Sequence, residues 1–279
     1  MSTSPKGVAV VTGASAGIGA IYADRLARRG YDLILVARNQ ARLDEVAKRI
    51  ADATGRFIKT VAADLNNKVD LKRVETILAT DPTITMLVNN AGVGALEPLL
   101  QSDIDAMEQM IDLNVTALTR LTYAAAPAFV ARGRGAIINI SSVVAIAPEV
   151  LNGVYGGTKA FVLALSQSLY KELADKNVRI QAVLPGATAT NFWDAAGGAV
   201  ENLPSTIVMQ SDDLVDAALA GFDQGELVTI PPLPDAADWA AYEGARQNAH
   251  AEPFPQFSAG AISNRRCSVT KMGSPAGDG

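Results

Sequence analysis

The sequence predicts an α/β fold, with a doubly wound parallel sheet of about seven strands covered by helices on both faces, in three layers. Short runs rich in Val, Ile and Leu alternate with longer segments of helical period. The short runs are apolar throughout rather than at every second position, which is typical of strands buried on both faces. Repeated strand-helix-strand units of this kind predict one doubly wound domain.

The predicted elements alternate in order along the chain. The strands are predicted at residues 8–12, 32–37, 57–62, 85–89, 136–141, 178–184 and 227–230. The helices are predicted at residues 17–29, 40–53, 68–79, 102–132, 155–175, 212–222 and 235–248. Because ligands of such sheets bind at the carboxyl ends of the strands, we expect the chemistry in the loops that follow the strands.

The composition supports a folded domain and excludes several classes of function. The 279 residues are 49% hydrophobic, which is enough apolar side chain for a sizeable core. The 24 Lys and Arg against 29 Asp and Glu give a net charge of -5, the opposite sign from that of a phosphate-neutralising nucleic-acid binder. The single cysteine, Cys267, and single histidine, His250, exclude an internal disulfide and a usual His/Cys zinc site, so no metal is expected.

Nothing in the sequence predicts export or membrane insertion. Residues 1–6 are short and polar, unlike a signal peptide. No apolar stretch reaches the roughly 18 to 20 residues that a membrane-spanning helix needs. We therefore expect a soluble cytoplasmic protein that binds neither membrane nor nucleic acid.

The first predicted strand ends in a glycine-rich turn. Residues 12–19 read TGASAGIG, and a helical pattern follows at once. Glycines at such a turn let the backbone approach a pyrophosphate at the helix N-terminus. The spacing Gly-x-x-x-Gly-x-Gly departs from the common Gly-x-Gly-x-x-Gly fingerprint. The turn predicts a dinucleotide site, with a simple tight turn as the alternative.

The second strand ends at Ala37, and Arg38 follows. An acidic residue at this place would bind the ribose 2′-hydroxyl of NAD. A guanidinium instead suits the 2′-phosphate of NADP, because it presents a fork of donors and a permanent charge. Arg38 therefore favours NADP over NAD, and a solvated arginine at the start of a loop is the alternative.

Further polar groups follow the later strands. The fourth strand leads into Asn-Asn-Ala-Gly at 89–92, and the fifth into two serines at 141–142. Asn114 stands inside the long helical pattern, where it either bends the helix, exposes a carbonyl, or is an ordinary polar residue. Tyr155 and Lys159 are four residues apart, so on a helix they share one face with Cβ atoms about 5–6 Å apart.

Together these motifs resemble those of the short-chain dehydrogenase/reductase family. The glycine turn at 12–19, the Asn-Asn-Ala-Gly at 89–92, the Tyr-x-x-x-Lys at 155–159 and a Pro-Gly at 185–186 occur in the family's order and at similar distances. The resemblance covers roughly residues 7–190. It implies a Rossmann-type fold and an NADP-dependent oxidoreductase acting on alcohols or the matching carbonyl compounds.

The resemblance also implies which residues act. Ser142 lies 13 residues before Tyr155, which is the family's offset and favours it over Ser141. The implied catalytic tetrad is Asn114, Ser142, Tyr155 and Lys159. The predicted cofactor-binding residues are Gly13, Ser15, Gly17, Ile18, Gly19, Arg38, Asp64, Leu65, Asn90, Ala91, Gly92, Tyr155, Lys159, Pro185, Gly186, Thr188 and Thr190.

The family pattern divides these cofactor residues by location. Residues 64–65 are implied to border the adenine, and Thr188 and Thr190 the nicotinamide amide. Many NADP-using members carry a basic residue inside the glycine turn, whereas this sequence has Ala16. Arg38 is therefore the main electrostatic argument for NADP.

The family mechanism assigns a role to each member of the tetrad. Tyr155 is implied to give a proton to the carbonyl in reduction, while Ser142 holds the oxygen. Lys159 is implied to bind the nicotinamide ribose, and Asn114 to hold a water that relays protons. An ammonium ~4 Å from the phenol, at an effective dielectric of ~20, supplies roughly 4 kcal/mol, enough to lower the pKa of Tyr155 by about three units.

The loops expected to line the substrate cleft, at 93–96, 143–154 and 187–200, contain no Lys or Arg. Because anionic substrates normally need a cationic partner, we expect a neutral, mostly apolar ketone, aldehyde or secondary alcohol. Each apolar side chain there is alternatively a core or subunit contact. The predicted substrate-binding residues are Leu96, Val144, Leu151, Phe192 and Trp193.

We expect one domain over residues 1–250, with a mobile substrate lid near 187–205 and a Pro/Gly/Ser-rich, partly disordered tail at 251–279. Long helices apolar on more than one face predict a homodimer or homotetramer. Two alternatives stay open: a 3-oxoacyl reductase of acyl-carrier-protein thioesters, and a non-catalytic NADP(H)-sensing regulator. The intact tetrad argues against the regulator.

Overall fold

The structure is a computed structural model that describes residues 6–251. Its strands are β1 (Val8–Thr12), β2 (Asp32–Ala37), β3 (Ile58–Ala62), β4 (Ile84–Asn89), β5 (Gly135–Ile140), β6 (Val178–Val183), β7 (Thr188–Ala189), β8 (Met209–Gln210) and β9 (Val228–Thr229). Its helices are α1 (Gly17–Arg28), α2 (Gln40–Thr54), α3 (Lys68–Thr80), α4 (Ile104–Ile111), α5 (Leu118–Ala131), α6 (Gly153–Glu172), α7 (Phe192–Ala195), α8 (Ser211–Gln224) and α9 (Ala236–Ala251).

The main sheet is parallel throughout. Within residues 6–251 it contains seven strands in the order β3-β2-β1-β4-β5-β6-β9. Val10 of β1 is aligned with Ile34 of β2 on one side and Leu87 of β4 on the other. The strand order reverses between β1 and β4, and sheets of this kind bind ligands there. The predicted doubly wound parallel sheet is confirmed.

Consecutive strand residues enter hydrophobic clusters on opposite faces of the sheet. Val11 packs with α1, α2 and α8 residues such as Leu26 and Leu43. Val10, next to it, packs with α3 and α5 residues such as Leu78. Because both faces are covered, each strand is apolar at every position, as the sequence indicated. Burying each such side chain contributes about 1.5–3 kcal/mol.

Side chains placed just before several helices explain where those helices begin. Asn39 precedes α2 and accepts a hydrogen bond from the Arg42 N–H (3.0 Å). Asn67 caps α3, Asp103 caps α4 and Asn152 caps α6 in the same manner. By contrast, Ala16 before α1 offers no side-chain cap.

The long helix predicted over 102–132 is interrupted. Residues 112–117 form a π-helical segment between α4 and α5, and Asn114 lies within it. The sequence left open whether Asn114 bends the helix, exposes a carbonyl or is an ordinary polar residue, and the structure shows a local widening of the helix around it. Such segments occur frequently at functional sites. Helix α6 also begins at Gly153, two residues earlier than predicted.

Two short strands outside the main sheet were not predicted. Thr188 is aligned with Met209, and Ala189 with Gln210, so β7 and β8 join the two ends of the segment 190–208. The Ser211 hydroxyl adds a hydrogen bond to the Ala189 carbonyl (2.8 Å).

The chain forms two compact units, and the first ends at Pro232. The described part of the second contains α9, on which the Trp239 and Tyr242 rings stack at 5.3 Å. The single domain over 1–250 and the mobility of the lid stay predictions. The predicted tail lies outside the described residues from 252 onward, as does Cys267.

Candidate active site

A cavity of about 1300 Å³ opens at the carboxyl ends of the strands, beside the point where the strand order reverses. Its lining includes most of the predicted site residues: Gly13, Gly17, Ile18, Arg38, Asn90, Ala91, Gly92, Leu96, Ser142, Val144, Leu151, Tyr155, Lys159, Pro185, Gly186, Thr188, Thr190, Phe192 and Trp193. The predicted residues that do not line it are Ser15, Gly19, Asp64, Leu65 and Asn114. The roles of all these residues, whether or not they line the cavity, stay predictions.

The glycine turn is held open by the motif that follows β4. Gly13 has a φ of +66°, and a Cβ there would meet the Asn90 side chain and the Ala91 backbone. The Asn90 amide donates to the Thr12 carbonyl (2.9 Å), while the Thr12 hydroxyl accepts from the Asn90 and Ala91 N–H groups (3.0 Å each). A Cβ at Gly19 would run into the Gly13 carbonyl. Glycine at these positions therefore lets two chain segments pack against one another.

Helix α1 begins directly at this turn with its first N–H groups free of side-chain caps and with no acidic residue in its first turn. Such an end attracts anions, because unpaired N–H groups and the helix dipole both favour negative charge. The residues Ala16, Gly17 and Ile18 at this end line the cavity. This half of the cavity is suited to a phosphate-bearing cofactor.

Arg38 lies at the same side of the cavity, at the end of β2. Its side chain is exposed, and within residues 6–251 its guanidinium has neither an ion pair nor a hydrogen bond. Among the described side chains that line the cavity, only those of Arg38 and Lys159 are cationic. Arg38 is thus available to bind an anionic group.

Tyr155, Ser142 and Lys159 are buried and share the other half of the cavity. The Ser142 hydroxyl is close enough to the Tyr155 hydroxyl to lower its pKa, and it also donates to the Pro185 carbonyl (3.4 Å). Lys159 Nζ donates to the Ile140 carbonyl (3.0 Å) and lies 5.7 Å from the centroid of the Tyr155 ring. The Ser141 hydroxyl instead donates to the main-chain carbonyl of Lys159 (2.7 Å). Of the two serines, Ser142 therefore pairs with the tyrosine.

Asn114 does not line the cavity but hydrogen bonds to two of the segments around it. Its amide oxygen accepts from the Val93 N–H (3.0 Å), and its amide nitrogen donates to the Val93 carbonyl (2.8 Å) and to the Thr158 hydroxyl (3.1 Å). A Cβ at Gly92 would be 3.0 Å from Asn114 Oδ1 and 3.5 Å from Lys159 Nζ. The side chain thus joins the loop after β4 to α6, and the water relay through it stays a prediction.

Burial overturns the predicted direction of the Tyr155 pKa. Burial raises the pKa of Tyr155 to about 12, and its hydrogen bond with Ser142 lowers that pKa by a smaller amount. Burial also lowers the pKa of Lys159 to about 8. The prediction that the ammonium lowers the pKa of Tyr155 by three units was wrong, because it neglected the loss of water around both groups.

The segment after β7 closes over the tyrosine. The Phe192 ring lies 5.7 Å from the Tyr155 ring, and the Trp193 ring meets Phe192 edge-on at 5.8 Å. The indole N–H of Trp193 donates to the Thr188 carbonyl (2.8 Å). A Cβ at Gly94 would collide with the Phe192 ring. Glycine at 94 therefore provides the space that Phe192 occupies beside the site.

Asn152 is a residue that the sequence analysis missed. It is buried, and its side chain accepts hydrogen bonds from the Val154 and Tyr155 N–H groups. An asparagine just before a helical run is a helix-start signal, so its position three residues before Tyr155 could have identified it. Its second set of hydrogen bonds, to residues distant in sequence, had no such signal.

The comparisons with known proteins agree with this geometry. The family model described as short chain dehydrogenase matches residues 7–199. The chain belongs to the short-chain dehydrogenase family. This dehydrogenase is 34% identical over 225 residues to an uncharacterized oxidoreductase of Staphylococcus saprophyticus. The alignment covers 80% of this chain and 94% of that relative. It is 39% identical over 188 residues to very-long-chain 3-oxoacyl-CoA reductase-A of Danio rerio. That alignment covers 66% of this chain and 59% of the relative.

Solved structures of similar proteins confirm the predicted Rossmann-type fold of the dehydrogenase. A short-chain dehydrogenase from Sphingobium yanoikuyae in complex with NADPH is 50% identical, with a TM-score of 0.87, and the match covers 91% of this chain and 98% of that one. A bulky-bulky ketone specific alcohol dehydrogenase from Comamonas testosteroni is 45% identical, with a TM-score of 0.83 and coverage of 91% and 97%.

Among the helices of residues 6–251, none combines the length and the apolar character that crossing a bilayer requires. The same described residues contain no group of three or more His, Cys, Asp or Glu side chains placed to hold a metal ion.

Replacing Lys159 by Met is expected to stabilise the cofactor-free dehydrogenase near pH 7. Moving the pKa of Lys159 from 10.5 to about 8 corresponds to a cost of roughly 3 kcal/mol below pH 8, and the lost hydrogen bond to Ile140 offsets about 1 kcal/mol. Above pH 8 native Lys159 is neutral while unfolded Lys159 remains protonated. The penalty on the native protein therefore fades as the pH rises toward 10.5.

Urea unfolding of both proteins at pH 7 and pH 9.5 measures this effect. We expect the advantage of Lys159→Met to shrink by about 2 kcal/mol between the two pH values. Lys59→Met, at an exposed position of β3, is the control and should show no such change. An equal advantage at both pH values would contradict the prediction.

Proposed function

We propose that this dehydrogenase transfers hydride between NADP(H) and a neutral, mostly apolar ketone, aldehyde or secondary alcohol, with Tyr155 as general acid and base. The observation that carries the proposal is that Tyr155, Ser142 and Lys159 are buried together on one cavity, with Lys159 Nζ 5.7 Å from the centroid of the Tyr155 ring. These groups face the same cavity as the phosphate-suited glycine turn.

The chain's own residues fit NADP(H). The uncapped start of α1 suits the pyrophosphate, and the tight passage at Gly13 allows close approach of the backbone. The guanidinium of Arg38, without a partner in residues 6–251, suits the 2′-phosphate. The NADPH complex of the Sphingobium yanoikuyae relative supports the same cofactor.

In carbonyl reduction the bound cofactor supplies the hydride. Tyr155 remains protonated near neutral pH because burial holds its pKa at about 12, so its hydroxyl can donate the proton to the carbonyl oxygen. Ser142 donates a hydrogen bond to the same oxygen and stabilises its developing charge. Lys159, with a pKa of about 8, stabilises the phenolate that remains and binds the nicotinamide ribose.

The pKa of Tyr155 also determines which protonation form of the phenol is present at neutral pH. Oxidation of an alcohol requires a base, and a phenol with a pKa of about 12 is scarcely ionised at neutral pH. Reduction requires only the neutral phenol that the buried site already holds. The protonated phenol that the buried site holds near neutral pH is therefore the form that the reduction step uses.

The substrate half of the cavity supports a neutral apolar compound. All five predicted substrate residues line it, including Leu96, Val144 and Leu151. Lys159 is engaged with Ile140, and Arg38 lies at the end of β2. The Comamonas testosteroni relative is described as bulky-bulky ketone specific, which supports ketones with two large substituents as the substrate class.

A 3-oxoacyl-thioester reductase is the second candidate, favoured by the likeness to 3-oxoacyl-CoA reductases. An acidic acyl carrier protein would need a basic docking surface at the cavity. Arg132 and Arg134 are two exposed, closely spaced cations that could form such a surface. They instead donate to the carbonyls of Ile84 and Lys6, at the amino ends of the strands. Glu97 and Glu149 are exposed next to the cavity-lining residues 96 and 150. Their negative charge argues against an acidic partner at this place.

A carbonyl panel with NADPH and with NADH tests the proposal. We expect turnover of neutral aryl and alkyl ketones with NADPH, measured by loss of reduced-nicotinamide absorbance, and slower turnover with NADH. Reaction of 3-oxoacyl thioesters alone would favour the second candidate. NADPH binding without turnover of any carbonyl would favour the sensing regulator.

A homodimer or homotetramer in the cytoplasm also belongs to the proposal. Large apolar side chains are exposed on α4, α5 and α6, such as Ile104 (76%), Tyr123 (64%) and Tyr170 (46%). Several large apolar side chains exposed on the same helices are typical of a surface that contacts another subunit.

A further inference from the structure

We propose that Asn152 is a positioning residue that fixes Tyr155 and ties it to the loop at 97–102. The inference rests on the proposed role of Tyr155 as the proton donor. Asn152 immediately precedes α6 and is only 5% exposed. Its carboxamide makes hydrogen bonds on both sides, two as acceptor and two as donor.

The oxygen side of the carboxamide fixes the start of α6. Asn152 Oδ1 accepts from the Val154 N–H (2.9 Å) and from the N–H of Tyr155 itself (3.3 Å). The backbone of the tyrosine is therefore held directly, and its side chain projects from that backbone. A tilt of about 10° in this turn moves the phenol oxygen by about 1 Å, and a displacement of that size costs up to roughly a hundredfold in rate.

The nitrogen side reaches across to the loop that follows β4. Asn152 Nδ2 donates to the Glu97 carbonyl (2.6 Å) and to the Ser102 hydroxyl (3.0 Å). Leu96, which precedes Glu97 in the chain, lines the cavity, and its N–H donates to the Ala196 carbonyl (3.2 Å). A continuous set of hydrogen bonds thus runs from the lid through the loop to the backbone of the tyrosine.

A second asparagine cap separates this role from ordinary helix capping. Asn67 accepts from the Val69 and Asp70 N–H groups at the start of α3, the same two positions that Asn152 caps on α6. Within residues 6–251, however, the amide nitrogen of Asn67 donates to no partner. Asn152 therefore carries a connection that a helix cap does not need.

Three variants and one control test the proposal. Asn152→Ala removes both sides of the connection, and Asn152→Ser keeps an acceptor for the helix but cannot span to Glu97. Ser102→Ala removes one partner of the amide nitrogen. Asn67→Ala removes an equivalent cap away from the site and is the control for a loss of stability alone.

Steady-state kinetics with NADPH and its 4-deuterated form give the first measurement. We expect Asn152→Ala to lower kcat by about 10- to 100-fold and to raise the isotope effect on kcat, with NADPH affinity within about twofold. Asn152→Ser should keep kcat within about threefold but raise the ketone KM about tenfold, as should Ser102→Ala. Asn67→Ala should change neither parameter.

Hydrogen exchange of the cofactor-free proteins gives a measurement independent of turnover. Asn152→Ala should speed exchange in both peptides, the one at 153–158 and the one at 96–104. Asn152→Ser and Ser102→Ala should speed exchange at 96–104 only, because the helix cap remains.

The proposal is overturned if Asn152→Ala lowers kcat less than about twofold, or if its isotope effect stays at the wild-type value while kcat falls. It is also overturned if Asn152→Ser is as slow as Asn152→Ala. The Tyr155→Phe variant tests the proposed function separately. If Tyr155 were not the proton donor, this variant would react at a near-normal rate.

Discussion

Replacing Tyr155 by Phe is expected to lower kcat for ketone reduction by about 100- to 10,000-fold, the usual contribution of general acid catalysis. The variant keeps the aromatic ring that packs against Phe192 but lacks the hydroxyl that pairs with Ser142. Because one oxygen is removed from a buried site, the fold should persist. NADPH affinity, measured by fluorescence titration, should stay within about threefold, since the hydroxyl is one of many contacts.

Ser142→Ala is the companion measurement. It should also slow the reaction, and the double variant should be little slower than Tyr155→Phe, because groups that act on one oxygen are strongly non-additive. Near-normal turnover by Tyr155→Phe would assign the proton donor elsewhere. Multiplicative effects in the double variant would indicate that the two hydroxyls act at separate steps.

Replacing Arg38 by Asp is expected to reverse the choice of cofactor. The change removes a charge-assisted contact worth about 1.5–3 kcal/mol and places a carboxylate near the 2′-phosphate, so the NADPH KM should rise about a hundredfold. The NADH KM should change less than about threefold, because the 2′-hydroxyl of NADH can donate to the new carboxylate. Initial rates with both cofactors at saturating ketone measure the ratio.

Arg49→Asp is the matched control for this charge reversal. Arg49 is exposed on α2, close in sequence to Arg38, but does not line the cavity. The control should leave both KM values unchanged. If Arg38→Asp raised the two KM values equally, Arg38 would be a solvated arginine and NADP preference would need another cause.

Features encoded locally could be predicted from the sequence. The adjacent valines Val10 and Val11 already indicated a strand buried on both faces, and the structure places them in separate clusters. Gly13 indicated a tight turn, and its φ of +66° confirms the need for glycine. The motif pair of Tyr155 and Lys159 identified the buried half of the cavity.

Features that depend on packing could not be predicted. The pKa of Tyr155 moved opposite to prediction because desolvation depends on how the lid and α6 enclose the phenol. The second set of hydrogen bonds from Asn152 reaches Glu97, far away in the sequence. The recess at Gly94 is recognisable only once Phe192 is seen to fill it.

The paired ends of the segment 190–208 have a consequence for how much the segment can vary in length. Because β7 and β8 already bring residues 188–189 and 209–210 together, changes of length between them add little closure entropy. Tyr155 and Ser142 lie on α6 and after β5, outside this segment. The segment can therefore change in length at small entropic cost, whereas Phe192 within it stays matched to the recess at Gly94.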